Sequence, residues 1–344
     1  MRPLLSLLSN PPPCLELGQF PAPLEWREDE ARSLGFESLC VKRDDLNAPR
    51  FGGNKVRALE WLLPAAGPSV VTFGGYGSTH AAATAIYARE VGRLACVALF
   101  PQPWTETVPV VLLRTLAYAP VFLAPSRSTL PLALVRAWRE AASVGRPTWI
   151  PAGGASPLGV LGSVNAALEL VQQVEGASAA RPDAVVVPLG TGGTAAGLLV
   201  GLALAGWPTR VCAVPVTDRW MANAITVHWL AHRAQRLLAR HGVRVLRPRG
   251  RLRILPGQLG LGYGHPTAAG LAARDSAGRL GLSLDLTYGA KAWAALQTLT
   301  SSCRRPCFWH TFDSRPAAPA PADDPLLRRA REYSEALWPY PRST

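Results

Sequence analysis

A regular alternation constrains this chain more than any other feature. Short, mostly apolar runs at 69–73, 94–100, 121–123 and 148–151 are separated by stretches of helical character over 81–91, 108–117 and 130–144. The pattern resumes after a glycine-rich loop at 154–162. A helix over 163–174 precedes an apolar run at 184–187, a long apolar helix to Ala205, a strand at 210–215 and a helix over 222–241. Helices over 266–277 and 291–300 and a last strand at 307–309 close it, while a helix over 25–34, a strand at 38–42 and a helix over 56–66 open it. Strands lacking polar alternation are buried on both faces, and helical crossovers join them in parallel. The expectation is an α/β fold with mostly parallel sheets, and 344 residues suffice for about two domains.

Composition removes several classes. Hydrophobic residues make up 48% and charged residues 17%, so the chain can bury a large core. The longest apolar stretch, 195–207, falls short of the ~18 residues of a membrane span. The opening MRPLLSLLSNPPP carries too short an apolar run for a signal peptide. Cys14, Cys40, Cys96, Cys212, Cys303 and Cys307 are scattered, with no zinc-ligand spacing. The expectation is free thiols in a reducing cytoplasm and no metal.

The formal charge of +13 has the size of a nucleic-acid footprint. Its make-up points elsewhere. Only Lys42, Lys55 and Lys291 are lysines among the 36 cationic residues. Such replacement by arginine reads as compositional drift rather than selection for phosphate contacts, and nucleic acid is not expected as a partner. Arg233, Arg236 and Arg240 recur at helical spacing opposite Leu230, Leu237 and Leu238, which reads as a solvated face.

Two motifs carry chemistry. Residues 189–197, LGTGGTAAG, run from a buried strand through a glycine turn into a helix. Small residues let main-chain N–H groups approach an anion, and the helix start adds positive potential. No lysine follows as in a Walker loop, and Gly190, Gly192 and Gly193 do not give the dinucleotide spacing. A phosphate cup or a plain tight turn both fit. Lys55 follows two glycines and Asn54. A lysine amine can form a Schiff base where arginine cannot, the more readily when burial lowers its pKa. An isolated lysine with a phosphate cup suggests pyridoxal phosphate. Lys42 and Lys291 have acidic or aromatic neighbours and could be ion-paired.

VKRDDLNAPRFGGNKVRALEWLL, GGYGSTHAAATA, PAGGASPLGVLGSVNAALEL, PLGTGGTAAGL and LDLTYGAKAWAAL occur in this order. Together they resemble the tryptophan-synthase-β-like (fold type II) pyridoxal phosphate enzymes. Within these the chain is similar to the 1-aminocyclopropane-1-carboxylate deaminase / D-cysteine desulfhydrase family over about residues 15–312. The resemblance implies Lys55 as the Schiff-base lysine that also moves the Cα proton, with Asn54 beside it. Ser78, Thr79 and His80 match the turn that cradles the substrate carboxylate, Ser78 being a catalytic hydroxyl. Gly190, Thr191, Gly192, Gly193 and Thr194 match the phosphate loop. Tyr288 matches the active-site tyrosine, and Thr311 the residue meeting the pyridine nitrogen. A neutral hydroxyl there leaves that nitrogen unprotonated, which suits elimination.

There are departures. The family's Asn after Ser78 is Thr79, with its amide contact to the cofactor's phenolic oxygen, and the Gln before Ser78 is Gly77. His-Thr-Gly-Gly has become His310-Thr311-Phe312-Asp313. Gly289 follows the tyrosine, where the deaminases tend to have Glu and the desulfhydrases Thr. His80 leans toward the desulfhydrases.

The resemblance implies two three-layer α/β domains of the tryptophan synthase β-subunit type. The larger, cofactor-binding domain is 1–51 plus 161–312, the smaller is 52–160, and 313–344 is a Pro/Ala-rich tail. Lys55, Ser78 and the 190–194 loop are expected to converge at the strands' carboxyl ends. The expected function is a pyridoxal phosphate lyase or deaminase of a small amino acid, foremost D-cysteine desulfhydration to pyruvate, ammonia and sulfide, the last step being hydrolytic. Alternatives are 1-aminocyclopropane-1-carboxylate deamination, β-replacement, a cofactor-binding homologue without turnover and an arginine-rich nucleic-acid binder. A homodimer is implied.

Overall fold

The computed structural model describes residues 2–245, 252–313, 315 and 324–338. Its elements in chain order are β1 (Leu24–Trp26), α1 (Glu28–Leu34), β2 (Cys40–Arg43), α2 (Asn54–Leu62), β3 (Ser69–Gly75), α3 (Thr79–Glu90), β4 (Leu94–Phe100), α4 (Thr107–Tyr118), β5 (Val121–Leu123), α5 (Leu130–Ala142), β6 (Pro147–Trp149), α6 (Pro157–Gly176), β7 (Ala184–Leu189), α7 (Gly193–Leu204), β8 (Arg210–Pro215), α8 (Ala224–Arg240), β9 (Leu252–Ile254), α9 (Ala268–Arg279), α10 (Gly289–Gln297), β10 (Pro306–His310) and α11 (Pro325–Leu337). They fall into two compact units, 1–64 with 154–315 and 65–153 with 316–344.

The larger unit holds a six-stranded sheet of order β1-β2-β10-β7-β8-β9. Only the edge pair β1–β2 is antiparallel. Its central strand β7 is apolar and buried at every position because both faces are covered. Val185, Val187, Val211, Ala213, Cys307 and Trp309 enter one core with residues of α6, α7 and α8. The alternating Ala184, Val186, Cys212, Val214 and Phe308 enter a second core with residues of α1, α9 and α10. Burying one such valine, leucine or phenylalanine contributes about 1.5–3 kcal/mol. The period of two thus divides each strand between two helical layers.

The smaller unit carries an all-parallel sheet of order β5-β4-β3-β6. On one face Val71, Cys96 and Ala98 pack against Ala133, Ala137 and Ala141 of α5. That i, i+4, i+8 alanine stripe lets the helix lie close to the sheet.

Several expectations need correction. Residues 24–26 form edge strand β1, so the first helix starts at Glu28 rather than 25. The loop expected over 154–162 is mostly helix: Ser156 caps α6 through the Gly159 N–H, and Pro157 supplies its first turn. Part of the expected tail is α11, capped by Asp324, which accepts from Leu326 and Leu327 at 2.8 and 3.0 Å. Residues 314, 316–323 and 339–344 of that tail lie outside the described residues, as do 246–251 of the arginine-dense stretch. The unit boundary sets α2 and the start of α6 in the larger unit, whereas 52–160 was the expected extent of the smaller domain. Arg57 of α2 and Glu169 of α6 join one buried ionic network there. Arg233, Arg236 and Arg240 are exposed while Leu230 and Leu238 are buried. Among the described residues no helix is long and apolar enough to cross a membrane.

Candidate active site

In the larger unit the chain leaves β2 through a 3-10 turn at Asp44–Leu46 and reaches Gly52-Gly53 just before α2. A Cβ at Gly52 would stand 2.0 Å from the Asp45 carbonyl oxygen, so only glycine fits. Gly53 has φ +118°, a conformation other residues rarely adopt. Its N–H donates to the Asp44 carbonyl at 2.7 Å and to Asn47 Oδ1 at 3.1 Å. The Asn54 N–H donates to the Thr311 carbonyl at 3.2 Å, and Gly53 bridges Phe312. Asn54 Nδ2 donates to Thr194 Oγ1 at 2.8 Å. One residue thereby ties the start of α2 to the glycine loop and to the segment after β10. Asn54, Thr194 and Thr311, expected on the cofactor, are brought together.

The half-buried Lys55 amine has no hydrogen bond or ion pair among the described residues. Burial lowers its pKa from 10.5 to about 8. A substantial neutral fraction near neutral pH is what a nucleophilic amine needs. The other two lysines differ. Lys42 is fully buried, ion-paired with Glu169 and bonded to the Ala22 carbonyl. Burial also takes Lys291 down to about 8, opposed by Asp285, but its ammonium donates to the Leu259 carbonyl at 2.9 Å.

A buried network anchors the start of α2. Arg57 donates to Asp44 at 2.7 and 3.0 Å and to Glu169 at 3.0 and 3.1 Å. Trp309 Nε1 donates to Asp44 Oδ2 at 2.8 Å. Asp44 thus holds Gly53 by its main chain, and Arg57 and Trp309 by its side chain. Burial opposes the charge on Arg57, yet Asp44 and Glu169 hold its pKa above the ordinary value. Beside it, burial would raise the Asp45 carboxyl, but His310, 3.2 Å away, and Arg43 hold it well below the usual carboxylate range.

The 190–194 loop follows β7. Gly192, at φ +87°, starts α7, and no side chain caps the first turn. A Cβ at Gly190 would meet nothing within 4 Å. Main-chain donors and positive helix potential are therefore available to an anion, as a phosphate requires. With the desolvated Lys55 amine, these residues fit pyridoxal phosphate.

Tyr288 precedes α10. The buried Asp285 carboxylate accepts from the N–H groups of Thr287, Tyr288 and Gly289 at 2.9, 2.7 and 2.8 Å and fixes that turn. Burial outweighs these bonds and raises the Asp285 pKa. The Tyr288 hydroxyl lies 2.7 Å from that of Tyr263. Tyr263 was missed, and its Gly-Tyr-Gly setting carries no local signal. Asp285 was also missed, though an Asp three residues before the tyrosine of a helix start is a readable cap. Asp313 replaces a family glycine and serves the frame: its carboxylate accepts from the Gly52 N–H at 3.1 Å and pairs with Arg315 at 2.9 Å.

In the smaller unit, β3 ends in Gly74-Gly75-Tyr76-Gly77, and Ser78 caps α3 by accepting from the Ala81 N–H at 3.3 Å. Thr79 and His80 form the first turn of α3, and all three residues are buried. His80 Nε2 lies 2.9 Å from Thr72 Oγ1. The smaller unit therefore holds Ser78, Thr79 and His80, and the larger unit holds every other expected site residue.

Comparison with known proteins gives concordant findings. The pyridoxal-phosphate dependent enzyme family matches residues 15–307. The chain is 35% identical over 300 residues to nocardicin C-9' epimerase of Nocardia uniformis subsp. tsuyamanensis, covering 83% of this chain and 89% of that protein. It is 33% identical over 296 residues to D-cysteine desulfhydrase of Klebsiella pneumoniae (strain 342), covering 83% and 87%. The crystal structure of an ACC deaminase homologue superposes with a TM-score of 0.75 at 28% identity, covering 90% of this chain and 94% of that one. A fungal L-serine ammonia-lyase from Rhizomucor miehei, at 16% identity and a TM-score of 0.58, covers 93% of this chain and 99% of its own and shares the fold. The names of the relatives point to lyase and deaminase chemistry rather than to a hydrolase.

Proposed function

This chain belongs to the pyridoxal-phosphate dependent enzymes, of the ACC deaminase and D-cysteine desulfhydrase type, and from that premise we propose that it converts D-cysteine and water to pyruvate, ammonia and sulfide. The observation that carries this reading is the Lys55 amine, desolvated and free of any counter-ion among the described residues, at the start of a helix tied through Asn54 to the glycine loop and to Thr311.

In this reading Lys55 attaches the cofactor, and the 190–194 loop with Asn54 holds its phosphate end. When bound, pyridoxal phosphate draws electron density from the substrate Cα and acidifies its proton. The released Lys55 amine takes that proton, and the sulfur leaves from Cβ. Thr311 offers the ring nitrogen a neutral hydroxyl and no proton. Ser78, Thr79 and His80 bind the substrate, with Ser78 a catalytic hydroxyl. Tyr288, hydrogen-bonded to Tyr263, is placed to exchange a proton with the substrate or its leaving group. A homodimer and a reducing, cytoplasmic setting for the six free thiols belong to the same reading.

Incubation of the cofactor-loaded protein with D-cysteine, assayed for pyruvate and sulfide, tests the reaction. Formation of 2-oxobutyrate from 1-aminocyclopropane-1-carboxylate would favour the deaminase alternative instead, and a new β-substituted amino acid would favour replacement. A second reading rests on the epimerase relative: the same Lys55 proton transfer without a leaving group inverts Cα. Exchange of the Cα proton in deuterated water without pyruvate would favour it.

A further inference from the structure

Lys291 is fully buried on α10, three residues after Tyr288. Burial opposes its charge, and the buried Asp285 carboxylate offsets part of that cost. The ammonium donates to two main-chain carbonyls, Leu259 at 2.9 Å and Gly262 at 3.4 Å. Both belong to one turn of the loop between β9 and α9. The loop's own bonds to these carbonyls are long, 3.4 Å from the Gly262 N–H to Leu259 and 3.3 Å from the His265 N–H to Gly262. Lys291 thus grips the two carbonyls that the loop itself holds weakly. A compact ammonium with three donors suits two carbonyls three residues apart, whereas a planar guanidinium fork suits a carboxylate. That accounts for a lysine at 291 in a chain whose cations are nearly all arginine.

The residue after the gripped turn is Tyr263. It stands between Gly262 and Gly264, at φ +130° and +80°. Glycine has the most conformational freedom to lose on ordering, so this stretch needs an outside contact to hold one position. Yet the Tyr263 hydroxyl lies 2.7 Å from that of Tyr288, with the ring centroids 6.1 Å apart and edge to face. Helix α10 governs both members of the pair. Tyr288 immediately precedes it, in the turn that Asp285 caps, and the loop of Tyr263 is reached through Lys291.

We propose that Lys291 is a positioning residue for the reaction: its ammonium clamps the Leu259–Gly262 turn to α10 and so holds the Tyr263 hydroxyl against that of Tyr288. The inference rests on the functional reading above and assigns a role to a lysine that this reading leaves unused.

Two readouts test it. The first needs neither cofactor nor substrate: chymotrypsin cleavage after Leu261 or Tyr263, followed by mass spectrometry on the cofactor-free protein. Lys291→Met keeps the side chain's reach and removes its donors. It is expected to be cut about tenfold faster at these two bonds, the size of one charge-assisted hydrogen bond, with other sites unchanged. The second is kinetic, on the cofactor-loaded protein. Lys291→Met is expected to lower kcat about tenfold and leave KM within about twofold. In a Tyr263→Phe background the same substitution is expected to change kcat less than about twofold, because the hydroxyl it positions is already gone. Lys291→Gln, which keeps one amide donor, is expected to fall between wild type and Lys291→Met in both readouts. Faster cleavage at every site alike would make Lys291 a general stabiliser and overturn the proposal. So would an unchanged kcat, or a tenfold loss that persists in the Tyr263→Phe background. A wild-type protein that takes up cofactor yet turns over no small amino acid would overturn the functional reading itself, and this inference with it.

Discussion

Replacing Lys55 by methionine removes the amine while keeping an unbranched side chain of similar reach. In the cofactor-free protein this should stabilise the fold at neutral pH. The amine's pKa falls from 10.5 to about 8 through burial alone. A shift of that size corresponds to roughly 3 kcal/mol against the protonated form. Because the side chain is half-buried, solvent screening reduces this to about 1–2 kcal/mol. Between about pH 8 and 10.5 the unfolded chain binds the proton more tightly than the folded chain, so wild-type stability rises with pH across that window. Below it the full cost applies; above it the lysine is neutral in both states. Lys55→Met therefore melts about 1.5–3 °C higher than wild type at pH 7, and the advantage fades by pH 10.5. Lys291 titrates in the same window but is common to both proteins and cancels. Melting curves of the two cofactor-free proteins across that range make the measurement. A variant no more stable at pH 7, or one whose advantage persists at pH 10.5, would refute the desolvation argument.

Other substitutions probe the frame. Asp44→Ala leaves Trp309 Nε1 without its acceptor and Arg57 with Glu169 alone in the core, a loss of about 3–5 kcal/mol that denaturant unfolding would register. Asn54→Ala cuts the link to Thr194 and is expected to weaken cofactor binding about fivefold in equilibrium dialysis, through loss of a hydrogen bond of about 1 kcal/mol. Tyr263→Phe keeps the ring and removes the hydroxyl partner of Tyr288; kcat for the reacting amino acid should fall about tenfold with KM little changed, the mark of an interaction made in the transition state.

Much of the architecture is legible in the residues. Strands such as 184–189 are apolar at every position because helices cover both faces, and no other arrangement suits such runs. The weaker elements escaped because their signals are tertiary. Strand β1 is three residues long and exists by pairing with β2. Helix α11 lies among Pro and Ala residues whose composition masks its Asp324 cap. The start of α6 was read as loop because its glycines suit turns; Gly159 and Gly162 instead allow close approach to Gly154 and Arg57 main-chain atoms.

The site divides the same way. Lys55 stands out because the chain has so few lysines, and the 190–194 loop because a buried strand empties into glycines. Asp44, Arg57 and Tyr263 carry no such mark. Their roles arise from contacts across 13 to 265 positions of sequence, which only folding brings together.

The most direct measurement is the visible absorption spectrum of the protein with pyridoxal phosphate, wild type against Lys55→Ala, before and after D-cysteine. The account predicts a band that depends on Lys55, altered by D-cysteine as pyruvate accumulates. An identical spectrum in both proteins would contradict the assignment of Lys55, and with it the claim that this site performs cofactor chemistry.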